Sequence, residues 1–193
     1  MFDGTSREPT LLPTFDGSGL VLAPHYELIR QFGLDSQLTT GPWLLKLEAI
    51  HRIGSQNARL DQNLRYEEED YTALVLGGEY TIYSPWELDA DLSLLAEWTY
   101  DGRGRWATNA FENDLLLVAR LGLNDEQSTE FLVSLLSSLD NRSRVLGAEF
   151  KRRLSDNWSL HLEAAAYMGI DEDDAMYAAR RDSYLGVNLD YNF

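Results

Sequence analysis

Charged side chains recur at every second position along several stretches of this 193-residue chain. Asp35, Lys46, Glu48, Arg52, Glu79, Asp89, Asp91, Glu97, Arg120, Glu130, Glu149, Lys151, Arg153, His161, Glu163 and Asp190 all occupy such positions, mostly with apolar residues between them. A β-strand turns successive side chains to opposite faces, so this spacing collects the charges on one face. Both signs occur there, with acids in excess. Two kinds of chemistry fit. One is a water-filled passage whose charge rings favour cations or polar solutes. The other is a closed, salt-bridged interior that conducts nothing. Asp89 and Asp91 are expected to face basic residues on neighbouring strands, because an unpaired buried carboxylate is costly.

Other groupings are weaker. His51 lies on an apolar face, with Ser55 four residues on. A lipid-acting enzyme needs a nucleophile and a base near the membrane surface. No His-x-x-Asn-Gly pattern follows His51, so it reads as an interfacial histidine. His161 and Glu163 share a strand face about 7 Å apart, at about 3.3 Å per residue. They read as part of the polar face rather than as an acid–base couple. Asp171-Glu172-Asp173-Asp174 clusters carboxylates that suit a hard cation, but lacks the glycine and terminal glutamate of an EF-hand loop. It reads as a solvated loop. No phosphate loop, zinc motif or triad spacing occurs, so no catalytic residue, metal or cofactor is expected.

The alternation predicts the elements. Strands are expected over 25–40, from Trp43 past Arg52, over 71–83 and 86–100, over 114–124, up to Leu139, around 146–153, from Trp158 to Met168 and over 184–193. The fourth alternates most cleanly: Trp86, Leu88, Ala90, Leu92, Leu94, Ala96, Trp98 and Tyr100 form one unbroken face. The last alternates Leu185, Val187, Leu189, Tyr191 and Phe193 with polar or tiny residues. Residues 54–70, 101–113 and 171–182 read as long loops, and the other connections as short turns. Long and short connections nearly alternate.

Composition narrows the class. The net charge of −16 argues against nucleic acid, which needs a basic patch. There is no cysteine, so no disulfide or thiolate metal site. No apolar run approaches the roughly 20 residues of a membrane helix. Strands of a membrane barrel bury only alternate residues and escape that test. Trp43, Trp86, Trp98, Tyr100, Trp158, Tyr191 and Phe193 fall at strand ends, where such barrels carry aromatic girdles. The expectation is an all-β protein, an antiparallel up-and-down transmembrane β-barrel with about nine strands in this chain. Its partners would be the lipid bilayer and lipopolysaccharide. A soluble antiparallel barrel is the alternative, and it leaves the loop asymmetry unexplained.

The strand Tyr184–Phe193 resembles the C-terminal strand of bacterial outer-membrane barrels, which implies recognition by the outer-membrane assembly machinery. The stretches 2–9, 24–29, 41–52 and 111–115 (FDGTSREP, PHYELI, GPWLLKLEAIHR and FENDL) resemble a family of uncharacterised bacterial outer-membrane, porin-like β-barrel proteins. The resemblance implies fold and location, and no substrate. It also implies a longer protein with these motifs in its C-terminal half. Residues 1–24, rich in Pro and Gly, then read as an outer loop or lead-in segment, with 25–193 as barrel strands. The opening residues carry neither the basic nor the apolar region of a signal peptide. An odd strand count points the same way, since single-chain bacterial barrels close with an even number.

Overall fold

A computed structural model describes residues 1–7, 9–15, 17, 19–60, 66–107 and 111–193. The described residues form twelve strands and three short 3-10 turns. The strands are β1 (Phe2–Thr5), β2 (Thr10–Phe15), β3 (Leu20–His25), β4 (Leu28–Thr40), β5 (Trp43–Leu60), β6 (Tyr66–Tyr83), β7 (Ala90–Asp101), β8 (Asn113–Leu123), β9 (Glu130–Ser138), β10 (Arg144–Arg153), β11 (Trp158–Met168) and β12 (Tyr184–Tyr191). Strands β4 to β12 follow one another side by side, all antiparallel, and β1 adds to the free edge of β4. The result is one ten-stranded sheet; β2 and β3 form a separate hairpin. The large sheet is open, with β1 and β12 at its edges. No helix among the described residues is long and apolar enough to cross a membrane.

The nine expected strands are β4 to β12. Their register keeps the two faces distinct. Leu45, Gly78, Ala96, Leu117, Leu135, Leu146 and Ala166 lie in one row across seven strands. Tyr83, Asp91, Gly122, Glu130, Lys151, His161 and Asn188 form a row on the other face. The apolar face is open: Leu38, Trp43, Leu76, Val133, Leu146 and Trp158 are all exposed. Among the described residues only Ile29, Tyr71 and Ala90 are buried hydrophobic residues, so the sheet has no apolar core of the usual kind.

Several expectations are corrected. Residues 1–24 hold three strands rather than a plain loop, and Pro24 lies inside β3. Proline is tolerated there because the strand belongs to a two-stranded hairpin. The expected loop 54–70 is instead strand at both ends: β5 and β6 run 18 residues each. Beyond Ile53 this pair has no partner in β4, and its register slips between Arg52 and Ser55 and again between Gln56 and Leu60. The sequence from Gly54 to Leu60 shows no apolar alternation, while backbone pairing persists. Residues 61–65 of that stretch lie outside the described residues.

The alternation from Trp86 also overran its strand. Pro85–Glu87 form a 3-10 turn, and Ser84, Trp86 and Glu87 take left-handed φ values of 49°, 55° and 61°. Ser84 N–H donates to the Ala90 carbonyl at 2.8 Å, which closes the connection and starts β7 at Ala90. Proline has no N–H for a ladder and pre-sets the turn.

Gly186 reports on the register. A Cβ there would stand 2.8 Å from Cγ of Glu163, its partner on β11. We expect Gly186→Ala to destabilise the protein by about 1–3 kcal/mol, the usual range for overpacking. Adding Glu163→Ala in the same chain should recover most of that loss, read as the urea midpoint of tryptophan fluorescence in detergent. Independent effects of the two changes would refute this register.

Candidate functional site

The polar face is the candidate site, and the register sets its content. All the sixteen candidate charges except Asp89 lie at positions on this face of β4 to β12. Asp89 precedes β7 in the connecting turn, where its Oδ1 accepts from Asn124 Nδ2 at 3.1 Å. The turn residues Leu88 and Asp89 are no longer strand, so parity does not govern them. The expected basic partners of Asp89 and Asp91 are not what the structure supplies: Asp91 sits between Tyr83 and Gly122.

Charge is unevenly spread across this face. Strands β4 to β7 carry five of the candidate acids, Asp35, Glu48, Glu79, Asp91 and Glu97, against Lys46 and Arg52. Asp35 and Glu48 are direct cross-strand partners. Lys46 and Glu97 stand on either side of Gly77 in one row. Strands β8 to β12 are closer to balance, and their charges pair. Arg120 lies 3.9 Å from Glu130, and Lys151 Nζ lies 3.1 Å from Glu149. His161 Nε2 is 3.6 Å from the same Glu149 oxygen, without a hydrogen-bond partner. Arg153 donates to the Glu126 carbonyl in the turn below it. Between the two charged regions lie Leu95, Leu116, Val118, Leu132, Leu136 and Val145. The face is therefore not polar throughout.

Residues missed from the sequence close the end where the long connections lie. Asp101 and Arg103, 2% and 6% exposed, form a bidentate pair: Arg103 Nη2 donates to Oδ2 at 2.7 Å and Nε to Oδ1 at 3.0 Å. The guanidinium stacks 3.8 Å from the ring centroid of Tyr71. Burial pushes the Arg103 guanidinium down, but its bonds to Asp101 and nearby negative charge outweigh that and hold it above its ordinary range. Gly102 N–H donates to the Thr72 carbonyl, so the connection after β7 is drawn onto the polar face. Asp101 extends the alternation of β7 and was the available signal; nothing in the spacing of Arg103 marks it. Removal of one partner from a buried pair leaves an uncompensated charge. Arg103→Ala should cost about 3–5 kcal/mol in unfolding measurements, and a loss below about 1 kcal/mol would show the pair to be dispensable.

Nearby, Glu112 faces several carboxylates. Burial raises its pKa first, and Asp174, Asp114, Asp140 and Asp101 raise it further. The described residues hold no group of three side chains arranged to take a metal ion. Within the Asp171–Asp174 stretch, Asp174 caps a 3-10 turn by accepting from Met176 N–H at 2.8 Å, and Asp173 is 3.9 Å from Arg105. A raised carboxyl pKa means that folding favours the protonated form. Its destabilising effect is absent below the ordinary pKa of 4.5 and grows as pH rises through the folded value. Glu112→Gln should therefore stabilise the protein at pH 7.5, by under about 1 kcal/mol for a partly exposed group. The gain should vanish near pH 4; an equal gain at both pH values would refute the cause.

The aromatic candidates fall at both ends. Trp43 packs on Tyr80 at 4.6 Å between centroids, and Trp158 on Tyr191 at 5.0 Å. Trp98 and Tyr100 are 5.8 Å apart toward the other end, where Trp98 Nε1 donates to Asn113. Trp86 lies in the turn before β7 and Phe193 beyond β12, both exposed. His51 contacts Thr72 Oγ1 at 3.0 Å, on the apolar face.

No family model, curated protein or solved structure matches the chain. The resemblance to outer-membrane proteins thus rests on the residues that carry it.

Proposed function

We propose that this chain builds the wall of a bacterial outer-membrane β-barrel. Its apolar face meets lipid, and its polar face lines a wet passage for small polar or cationic solutes. One observation carries the reading: a register unbroken from β4 to β12 as far as Arg52 of β5 holds open apolar residues on one face and the charges on the other. A water-soluble sheet buries its apolar face against another layer. Here that face is uncovered, and hydrocarbon is the medium that would cover it at no cost.

The dimensions agree. The 12 residues of β7, at about 3.3 Å each and a tilt near 40°, cover an apolar band about 25 Å tall. Paired rings at the two ends suit two interfaces. In a bilayer every backbone group needs a partner, so the edge of β12 and the part of β4 that β1 leaves uncovered would be paired in the closed barrel. The edge of β12 offers the assembly machinery a strand to extend. The acidic 171–174 loop would meet lipopolysaccharide through divalent ions. No catalytic role is assigned: His51 has a hydroxyl neighbour and sits where an interfacial histidine belongs.

The pairs Arg120–Glu130 and Glu149–Lys151, with the patch around Leu116, favour a second reading, a closed barrel that conducts nothing. The two separate in one experiment. The refolded protein should migrate differently cold and boiled, and should conduct in planar bilayers under a KCl gradient with a reversal potential of cation sign. Glu48→Gln with Glu97→Gln should reduce the cation-to-anion permeability ratio by about twofold or more, since ring charges set selectivity. A heat-modifiable band without conductance would establish the closed barrel instead.

A further inference from the structure

We propose that a cavity on the polar face, where β1, β4 and β5 meet at the long-connection end, binds a small solute bearing an oxyanion. The oxyanion would be a carboxylate or a phosphate on a compact organic body. The cavity measures about 370 Å³ and is lined by Phe2, Ser6, Arg7, Ile29, Gln31 and Arg52. That is the lower part of the range of about 300–1,000 Å³ for small-molecule pockets.

Register builds it. Phe2 pairs with Gln31 and Gln31 with Arg52, so the three side chains share a row; Ile29, opposite Gly4, floors the next row. Ser6 N–H donates to the Glu27 carbonyl at 2.8 Å and fixes the bend that brings Arg7 over the cavity. Arg52 Nε donates to Gln31 Oε1 at 2.9 Å and its guanidinium lies 5.7 Å from the Tyr71 ring centroid, which orients the group without bonding it to a carboxylate.

The charge pattern is the telling feature. The chain has 32 acidic residues against 16 Lys and Arg. Yet among the described residues neither Arg7 nor Arg52 makes an ion pair, and both line one cavity. Two guanidinium groups lining one cavity, with no carboxylate among its described lining residues, favour an anion between them. Guanidinium forks suit planar carboxylate and tetrahedral phosphate alike. Phe2 and Ile29 supply apolar wall for an organic body, and Gln31 supplies a further polar group. Glu112 and Asp140 lie in the β7–β8 and β9–β10 connections and Asp114 at the start of β8, so these carboxylates sit away from this corner. The cavity exists whether or not the sheet lies in a bilayer, so this inference stands apart from the passage.

Calorimetric titration of the detergent-refolded protein tests it, with benzoate and phenyl phosphate as probes and benzyl alcohol as the neutral control. At least one anion should saturate a single site, and benzyl alcohol should bind at least tenfold more weakly. The stronger of the two anions identifies the oxyanion. Arg7→Gln and Arg52→Gln should each weaken binding about tenfold, and Arg52→Lys should fall between, keeping charge without the fork. Arg30→Gln, whose guanidinium bonds Asp3 on the opposite face, should bind like the parent. Circular dichroism matched to the parent excludes misfolded variants. Absence of saturable binding by either anion overturns the proposal. So does parent-like affinity in both Arg7→Gln and Arg52→Gln, or equal weakening in Arg30→Gln.

Discussion

The ladder of backbone hydrogen bonds from β4 to β12 is the constraint on which everything else depends. A strand repeats every two residues, so a slip of one would exchange the two faces. Across β4 to β12 the sheet avoids such a slip: the described irregularities lie in β5, beyond Arg52, where the strand pair leaves the sheet. With only Ile29, Tyr71 and Ala90 buried among the described hydrophobic residues, the ladder itself holds the architecture. Side chains then act locally, as cross-strand partners. The ring pairs Trp43–Tyr80, Phe131–Phe150 and Trp158–Tyr191 are all contacts of this kind.

That dependence explains what could be read from the chain. Where an apolar residue alternates with a polar one, as from Ala90 to Asp101, period and structure coincide. Where the sequence lacks apolar alternation, as beyond Ile53, the period vanishes while the backbone still pairs. Where a turn happens to alternate, as at Trp86 and Leu88, the period outlasts the strand. Ser84, Trp86 and Glu87 in left-handed conformations are invisible to hydropathy. Position along a strand located the charges of the polar face. It did not reveal which of them pair, because Arg120–Glu130 and Lys151–Glu149 depend on side-chain reach across or along neighbouring strands.

The long-connection end follows different physics. There the burial is polar: Ser6, Glu27, Ser55, Asp101, Arg103, Asp114 and Ser143 are all nearly inaccessible. Asp101 and Arg103 draw the β7–β8 connection inward, and Tyr71 is shielded beneath the guanidinium. Such contacts join residues with no common period, which is why spacing did not expose them. The same end separates charge laterally, with arginines toward β1 and carboxylates toward the connections after β7 and β9.

The outer edge of β12 has a practical consequence. Among the described residues no strand lies beside its N–H and C=O groups on the side away from β11, and Leu185, Val187 and Leu189 flank them in the open, at 77%, 64% and 55% exposure. Such an edge is a template for adding strands from any chain that offers them. In a crowded, lipid-free preparation the nearest such chain is another copy. The protein should therefore precipitate as ordered, β-rich aggregates on removal of denaturant, and detergent must be present before refolding starts rather than added afterwards.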